Sequence, residues 1–381
     1  MSSPPKPAPT SPSLPWRISS SLLMGVTGLA SKFYLYGLSG VEVTGLAKFL
    51  SVLEARRDPE KRQRGLITVC NHISVVDDPL VWGVLPTSNI FDPSNLRWTL
   101  GAHDICFKNK FLANFFTCGQ VLPAHRQKHS SFGGLFQPSI TQAIRLLSSQ
   151  PYSSSPSPQS SHDIPDPFST GSLTFTTNGT DEVSAPSYYQ RNRHSWVHVF
   201  PEGLVHQHPS RDLRYFKWGV ARLILESEPA PDVLPMFIDG THEIMPEHRT
   251  FPRFLPRISG KIHVAFGDVL DYEATFGDLR RRWQSLVQQS QSKLNNDNKG
   301  EVTPPMMLGE LPDSLKHSQE AAEIRIEVAR RMRDEVLKVR RSLGYPEPDA
   351  RLGSAETWAV DEQTKEKKYK SRVDGSDINQ D

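Results

Sequence analysis

The segment from Leu66 to Pro79, where a short apolar run leads into a polar turn, most constrains the fold. Its first residues, up to Cys70, are apolar and rich in β-branched side chains, which predicts a buried strand. Asp78-Pro79 then opens a second apolar run, and proline suits the first turn of a helix. The pattern predicts an α/β fold with His72 at a strand end. In open α/β sheets, ligands bind in the crevice beside such ends.

His72 is the candidate catalytic base of this segment, because Asp77 follows at a distance that suits an orienting carboxylate. Two other pairs share the spacing, His242/Glu247 and His263/Asp268. With 13 His and 42 acidic residues in the chain, such pairs also arise by chance. The other two pairs lie in a predicted loop and a predicted strand, where we expect ordinary packed or solvated histidines. For His72, a capped structural histidine is the alternative to a catalytic base.

The composition indicates a folded core diluted by disordered segments. Only 37% of the 381 residues are hydrophobic and 31 are prolines. The net charge of +2 favours neither a nucleic-acid binder nor an acidic scaffold. The three cysteines, Cys70, Cys106 and Cys118, are too few and too apolar in context for a disulfide framework, which argues against a disulfide-rich secreted protein.

The N-terminal region combines a disordered start with an apolar segment. Residues 1–15 are rich in Ser and Pro, which predicts disorder. Residues 16–38 are apolar but contain several glycines and serines, with aromatic residues at both ends. We expect a helix in the membrane interface; a membrane span or uncleaved targeting segment and an ordinary packing helix are the alternatives. Val233–Ile238 is expected to be a second membrane contact.

The remaining sequence divides by composition. We expect an α/β domain at 40–285 that contains a disordered Ser/Pro-rich insert at 149–193, then a linker at 286–316, an amphipathic helix at 317–344 and a charged tail at 345–381. Within the domain, a brief apolar strand ends at Arg126, and the strand Trp196–Phe200 leads into Pro201-Glu202-Gly203. Taken by itself, Arg126 is better interpreted as a surface arginine, and for Glu202 the alternative to a functional residue is an ordinary turn carboxylate.

Motifs for several enzyme classes do not occur in this sequence. It contains no Gly-x-Ser-x-Gly elbow, no phosphate-binding loop of the Walker type and no CxxC pair. His206-Gln-His208 is a possible pair of metal ligands, but the sequence suggests no further ligands to complete a site. We therefore expect no metal and no cofactor.

Four motifs in order resemble the glycerolipid acyltransferase family: Asn71-His72-x-x-x-x-Asp77, a strand ending in Arg126, Phe200-Pro-Glu-Gly203 and Val233-Leu-Pro235. The resemblance implies a mixed β-sheet flanked by helices. It also implies that His72 is the general base and that Asp77 orients its imidazole. Arg126 would hold a phosphate of the acceptor, and Glu202 and Gly203 would border the glycerol-phosphate pocket. Pro123-Ala-His125 before the arginine departs from the family pattern.

Within the family, further segments are similar to the mitochondrial transacylases that exchange acyl chains between phospholipids and lysophospholipids. These segments are 77–83, 96–99, 104–107, 197–203, 216–219 and 251–254. The resemblance implies transfer without CoA from phosphatidylcholine to monolysocardiolipin, which remodels cardiolipin. It implies a location at the mitochondrial inner and outer membranes, on the side that faces the intermembrane space. It also implies contact with mitochondrial membrane protein complexes. An acyl-CoA-dependent lysophospholipid acyltransferase and a catalytically inert membrane-binding scaffold are the alternatives.

Overall fold

The computed structural model describes residues 10–149, 174–175, 183–249, 251–258, 260–297, 308–362 and 368–379. In these residues the α-helices are α1 (Leu14–Phe33), α2 (Leu46–Ala55), α3 (Asp77–Leu80), α4 (Thr87–Ile90), α5 (His103–Cys106), α6 (Lys110–Cys118), α7 (Pro138–Leu147), α8 (Gly219–Glu226), α9 (Thr241–Ile244), α10 (Tyr272–Asp297), α11 (Asp313–His317), α12 (Gln319–Ser342) and α13 (Ala355–Glu362). The strands are β1 (Gly40–Thr44), β2 (Leu66–Val69), β3 (Trp98–Ala102), β4 (Val121–Ala124), β5 (Thr174–Phe175), β6 (Val183–Ser184), β7 (Trp196–Val199), β8 (His206–Gln207), β9 (Asp232–Asp239), β10 (Lys261–Phe266), β11 (Lys368–Lys370) and β12 (Asp377–Asn379).

A seven-stranded mixed sheet forms the centre of the described structure, in the order β1-β10-β9-β2-β7-β3-β4. The five strands from β9 to β4 are parallel to one another. β10 is antiparallel to β9, and β1 is parallel to β10. The carboxyl ends of the five parallel strands therefore meet at one edge of the sheet, which confirms the predicted α/β class and positions the site.

The central strands are buried on both faces. In β2, Ile67 and Val69 pack with α7, α8, α10 and α12, whereas Leu66 packs with α2 on the opposite face. A strand covered on both faces is apolar throughout, which explains the continuous run in the sequence. Val233–Ile238 lies within β9 and is likewise buried. The prediction that this segment contacts a membrane is therefore wrong, because its apolar side chains fill the core.

The turn after β2 is tighter than the sequence predicted. Asp78 has extended backbone angles (φ −103°, ψ 109°), as residues before proline do, so regular helical geometry begins at Pro79. α3 ends at Leu80, and a 3₁₀ turn, Val81–Val84, follows it. The predicted helix start is confirmed, but the helix is a single turn long.

Apart from the buried Trp16, helix α1 buries mainly small residues and exposes most of its large apolar ones. Ser20, Gly25, Gly28 and Ser31 are buried, and a Cβ on Gly28 would lie 3.0 Å from the Ile90 side chain. The large exposed apolar residues are Leu14, Ile18, Leu22, Val26, Leu29 and Phe33. A helix that packs only on a protein core shows the opposite distribution. Among the described helices, α1 included, none has the length and hydropathy needed to cross a bilayer.

Two predicted unstructured segments are partly folded. The insert predicted at 149–193 lies largely outside the described residues, but its end is packed, with Ala185, Ser187 and Tyr189 buried. The linker predicted at 286–316 is wrong over its first part, because α10 continues to Asp297. Helical geometry satisfies the backbone of this polar stretch even though few of its side chains enter the core. Within the segment predicted as an amphipathic helix, α12 docks on the sheet domain.

The charged tail predicted at 345–381 is also folded in its described part. It contains α13 and the strands β11 and β12. Trp358 is fully buried and Asp361 is nearly so. β12 pairs with β8, so this segment lies against the turn that follows β7. The composition of the tail did not predict this structure, because a few buried contacts, and not the average polarity, decide whether such a segment packs.

Candidate active site

His72 and Asp77 form a hydrogen-bonded pair at the end of β2. His72 Nδ1 lies 2.9 Å from Asp77 Oδ2. The carboxylate is fully buried, whereas the imidazole is 22% exposed. Because a carboxylate only accepts hydrogen bonds, Nδ1 carries the hydrogen, and Nε2 of the neutral ring has the free lone pair. The pair therefore has the arrangement of a base with an orienting acid.

The Asp77 carboxylate is surrounded by donors. The backbone N–H groups of Ile73 and Ser74 each donate to Oδ2 at 2.8 Å. The hydroxyl of Thr241, at the start of α9, donates to Oδ1 at 2.5 Å. These donors replace water around a buried negative charge and prevent rotation of the carboxylate. Sequence reasoning missed Thr241, which has no motif and is distinguished only by its place after β9.

Asn71 joins the ends of β2 and β9. Its side-chain amide donates to the carbonyl of Ile238 at 2.9 Å and accepts from the same residue's N–H at 2.8 Å. The amide thus imitates a peptide group and extends the pairing of the two strands past Val69. This explains physically why an asparagine precedes His72, a role that the sequence alone did not indicate.

Glu202 lies beside His72, and its carboxylate binds main chain. Oε1 accepts from the N–H of His72 and Oε2 accepts from the N–H of Arg214, each at 2.9 Å. The side chain is 2% exposed. Phe200, from the same turn, stacks on the His72 ring with centroids 4.4 Å apart. The turn after β7 therefore supports the position of His72; a contact of Glu202 with substrate stays a prediction.

Gly203 occupies a position that favours glycine. Its φ of +68° is in the left-handed region. A Cβ there would lie 2.9 Å from the side chain of Lys217. Lys217 donates its N–H to the carbonyl of Pro201 at 2.8 Å, which holds the two segments together. The glycine thus permits the close approach of Lys217, while the predicted border of a substrate pocket stays a prediction.

Arg126 follows β4 and is paired with Asp104. Its Nε donates to Asp104 Oδ1 at 3.0 Å, and its Nη2 contacts Oδ2. Burial of Asp104 acts in the opposite direction, but its hydrogen bonds and ion pair with Arg126 hold the pKa of that carboxyl below its usual value. β4 is three strands from β2 in the sheet. At about 4.8 Å per strand, Arg126 and His72 are separated by roughly 14 Å along the same edge.

A group of buried polar side chains lies under the His72 turn. Most of its members come from three of the segments that carry the family resemblance, 77–83, 96–99 and 197–203. Arg97 binds Asp78 through Nε and Nη2, each at 2.7 Å, and Trp82 Nε1 also donates to Asp78. His198 bonds Thr68 at 2.8 Å, and burial lowers the pKa of His198 to about 3, so its ring is neutral. The Arg97–Asp78 pair fixes the turn in which Asp77 lies.

The other histidines with the same acid spacing are in ordinary environments. His263 Nε2 lies 3.0 Å from Thr44, and Asp268 pairs with Lys48 instead. Nδ1 of His242 lies 3.5 Å from Oδ1 of Asp239, which is not the acid of its sequence pair. Across the described residues, no three His, Cys, Asp or Glu side chains are grouped to hold a metal ion.

Comparison with known proteins gives three kinds of match. The protein-family model Acyltransferase matches residues 51–239. The chain is 37% identical to tafazzin of Saccharomyces cerevisiae over 90% of this chain and 83% of that protein. It is 29% identical to tafazzin of Drosophila melanogaster over 71% of this chain and 56% of that protein. It is 30% identical to N-acylphosphatidylethanolamine synthase of Arabidopsis thaliana over 55% of this chain and 56% of that protein.

One solved structure is also similar. It is the crystal structure of the 1-acyl-sn-glycerophosphate acyltransferase of Thermotoga maritima, with 15% identity and a TM-score of 0.37 over 75% of this chain and 83% of that one.

Proposed function

The chain belongs to the tafazzin family of acyltransferases, and from this we propose that it transfers acyl chains from phospholipids to lysophospholipids without CoA. The observation that carries the proposal is the His72–Asp77 pair at the carboxyl edge of the sheet. We further propose phosphatidylcholine as donor, monolysocardiolipin as acceptor and cardiolipin as product. The proposed location is the mitochondrial inner and outer membranes, facing the intermembrane space.

His72 is the proposed general base. Its Nε2 removes the proton from the acceptor hydroxyl as that oxygen attacks the ester carbonyl of the donor. When the tetrahedral intermediate collapses, the imidazolium returns the proton to the departing glycerol oxygen. Asp77 holds the productive tautomer and stabilises the imidazolium. A positioned base contributes roughly 10²–10⁴-fold in rate.

The energetics of this reaction make a thioester unnecessary. One carboxylic ester forms and another breaks, so the two sides have nearly equal energy. The equilibrium composition then depends on how lipids pack in the membrane. Cardiolipin, with four chains, is the lipid whose composition changes most.

Arg126 is the proposed ligand of the acceptor phosphate. Its guanidinium presents a planar fork of donors that fits two phosphate oxygens. In the present structure Asp104 occupies that fork. Phosphate binding therefore requires exchange of one anion for another at Arg126. Both side chains are partly exposed, so an incoming lipid can reach them.

Membrane attachment is proposed through the exposed apolar face of α1. A second exposed apolar segment lies nearby, with Phe251, Phe254, Leu255 and Ile258 mostly exposed. The Tyr34 hydroxyl donates to the carbonyl of Arg257, which ties this segment to the end of α1. Apolar faces of this kind, with arginines between them, suit the interface of an anionic bilayer.

The test uses the purified full-length protein in vesicles. Labelled phosphatidylcholine and monolysocardiolipin are supplied with and without acyl-CoA, and His72→Ala protein provides the blank. Label in cardiolipin without CoA, with transfer also in reverse, is the expected result. Transfer only when acyl-CoA is added would favour the CoA-dependent acyltransferase. No transfer under either condition would favour an inert membrane-binding protein.

A further inference from the structure

The short strand β8 holds the main chain of the His72 turn. The N–H of His206 donates to the carbonyl of His72 at 2.8 Å. The side chain of Gln207 donates to the carbonyl of Ile73 at 2.8 Å. Together with the bond from His72 N–H to Glu202, these contacts fix both sides of the His72 peptide. The position of the imidazole thus depends on residues 202–207.

The C-terminal segment, residues 350–379 in their described part, covers this strand. β12 pairs with β8 so that Ile378 is opposite His206. The buried Trp358 presents its ring edge-on to His206, with centroids 5.1 Å apart. The guanidinium carbon of Arg214 lies 3.9 Å from the same indole. The N–H of Arg214 donates to Glu202. Through Trp358, the C-terminal segment therefore contacts both His206 and Arg214, the two residues next to the Glu202 carboxylate.

The His206 imidazole lies between two carboxylates. Its Nε2 is 2.8 Å from Asp374 Oδ2, and its Nδ1 is 3.6 Å from Glu202 Oε2. All three side chains are almost completely buried. Burial opposes the charged ring, but the hydrogen bonds and charges of Asp374 and Glu202 outweigh it and raise the pKa of His206. Removing the Asp374 carboxylate would leave the buried Nε2 of His206 without its hydrogen-bond partner, which is costly for a polar group shielded from water.

We propose that Asp374 and His206 are positioning residues of the active site, through which the C-terminal segment holds Glu202 and hence His72. This inference rests on the proposed function, in which His72 is the base. Asp374, in the C-terminal segment, binds Nε2 of the His206 ring. His206 in turn faces the Glu202 carboxylate whose other oxygen binds His72. Loss of the contact between Asp374 and His206 lets residues 202–207 change position, and this moves His72 away from the reacting ester.

The experiment compares Asp374→Asn with Asp377→Asn, which makes the same change of charge on a partly exposed side chain of the same segment. His206→Gln is the second test variant, and Asp374→Glu tests rescue. For each, kcat, KM and Tm are measured on the full chain in vesicles. Because small misplacements of reacting groups are costly, we expect kcat to fall between about tenfold and a hundredfold in Asp374→Asn and His206→Gln, with KM unchanged. Asp374→Glu should recover part of the loss.

Two results would overturn the proposal. One is that a test variant that folds has a kcat within about twofold of the kcat of Asp377→Asn. The other is failure of both test variants to fold, which would make the contact purely structural. Failure of the proposed function is distinct: the wild-type protein would then show no transfer without acyl-CoA, or His72→Ala would retain transfer, whatever the C-terminal variants do.

Discussion

The hydroxyl of Thr241 donates to Oδ1 of Asp77 across 164 positions of the chain, at 2.5 Å. This bond completes the set of donors around a carboxylate that has no contact with solvent. It also couples the end of β9 to the end of β2, so the orientation of the acid depends on two neighbouring strands.

Thr241→Val should therefore impair both stability and activity. An unsatisfied buried oxygen costs about 1–3 kcal/mol, which will appear as a lower Tm. We expect kcat to fall roughly tenfold as the carboxylate loosens. Thr241→Ser, which keeps the hydroxyl, is the matched control and should stay within a few-fold of wild type. Equal activity of the Val and Ser variants would show that the bond has no part in orienting Asp77.

His72→Ala should abolish transfer while leaving Tm and vesicle binding near wild type. The reason is that a partly exposed side chain at a strand end contributes more to chemistry than to packing. We expect a loss of at least about 10²-fold, and a strong loss also in Asp77→Asn. His263→Ala is the matched control, since His263 has the same acid spacing. Substantial transfer by His72→Ala would refute its role as base.

Arg126→Ala and Asp104→Asn should change KM in opposite directions. Removing the guanidinium removes the proposed phosphate ligand, so KM for the lysophospholipid should rise about tenfold. Removing the Asp104 carboxylate removes one competitor for the guanidinium, so KM should fall. Steady-state kinetics with one acceptor at several surface concentrations will decide. A KM unchanged in Arg126→Ala would assign the ion pair to structure alone.

Leu22→Asp combined with Val26→Asp should weaken membrane binding without lowering Tm. Both side chains are exposed, so the protein core loses nothing. Each apolar side chain buried in the interface contributes about 1.5–3 kcal/mol, and two such losses exceed a tenfold change in affinity. Flotation with vesicles measures the effect. Ile326→Asp, at an exposed apolar position on α12, is the control and should bind normally.

Two deletions in the Ser/Pro-rich insert should behave differently. Excision of 153–173 removes residues too polar to bury much surface, and loop length has only a small entropic cost, so activity should persist. Excision of 153–188 also removes Ser187, whose hydroxyl binds Gln142 of α7, and the buried Ala185. That variant should have a clearly lower Tm. Equal melting of the two proteins would show that this contact adds no stability.

The sequence by itself determined the local elements and the class of chemistry. Runs of apolar residues marked β2, β7 and β9 as buried strands, because the pattern of side chains along a strand depends only on local geometry. The 3.6-residue period identified α12 in the same way. Asp78-Pro79 marked the turn after β2, since proline restricts the residue before it. His72 and Asp77 were recognisable because both belong to that single turn.

Only the tertiary structure decided which distant residues meet there. Thr241 reaches Asp77 because β9 lies beside β2, and Arg126 stands three strands away because β7 and β3 intervene. Asp374 reaches His206 across 168 positions, in a tail whose composition predicted no structure. Strand order and the docking of a terminal segment depend on the sum of many weak contacts between remote parts of the chain. Periodicity and composition describe only neighbours, so the support of His72 emerged from the folded arrangement alone.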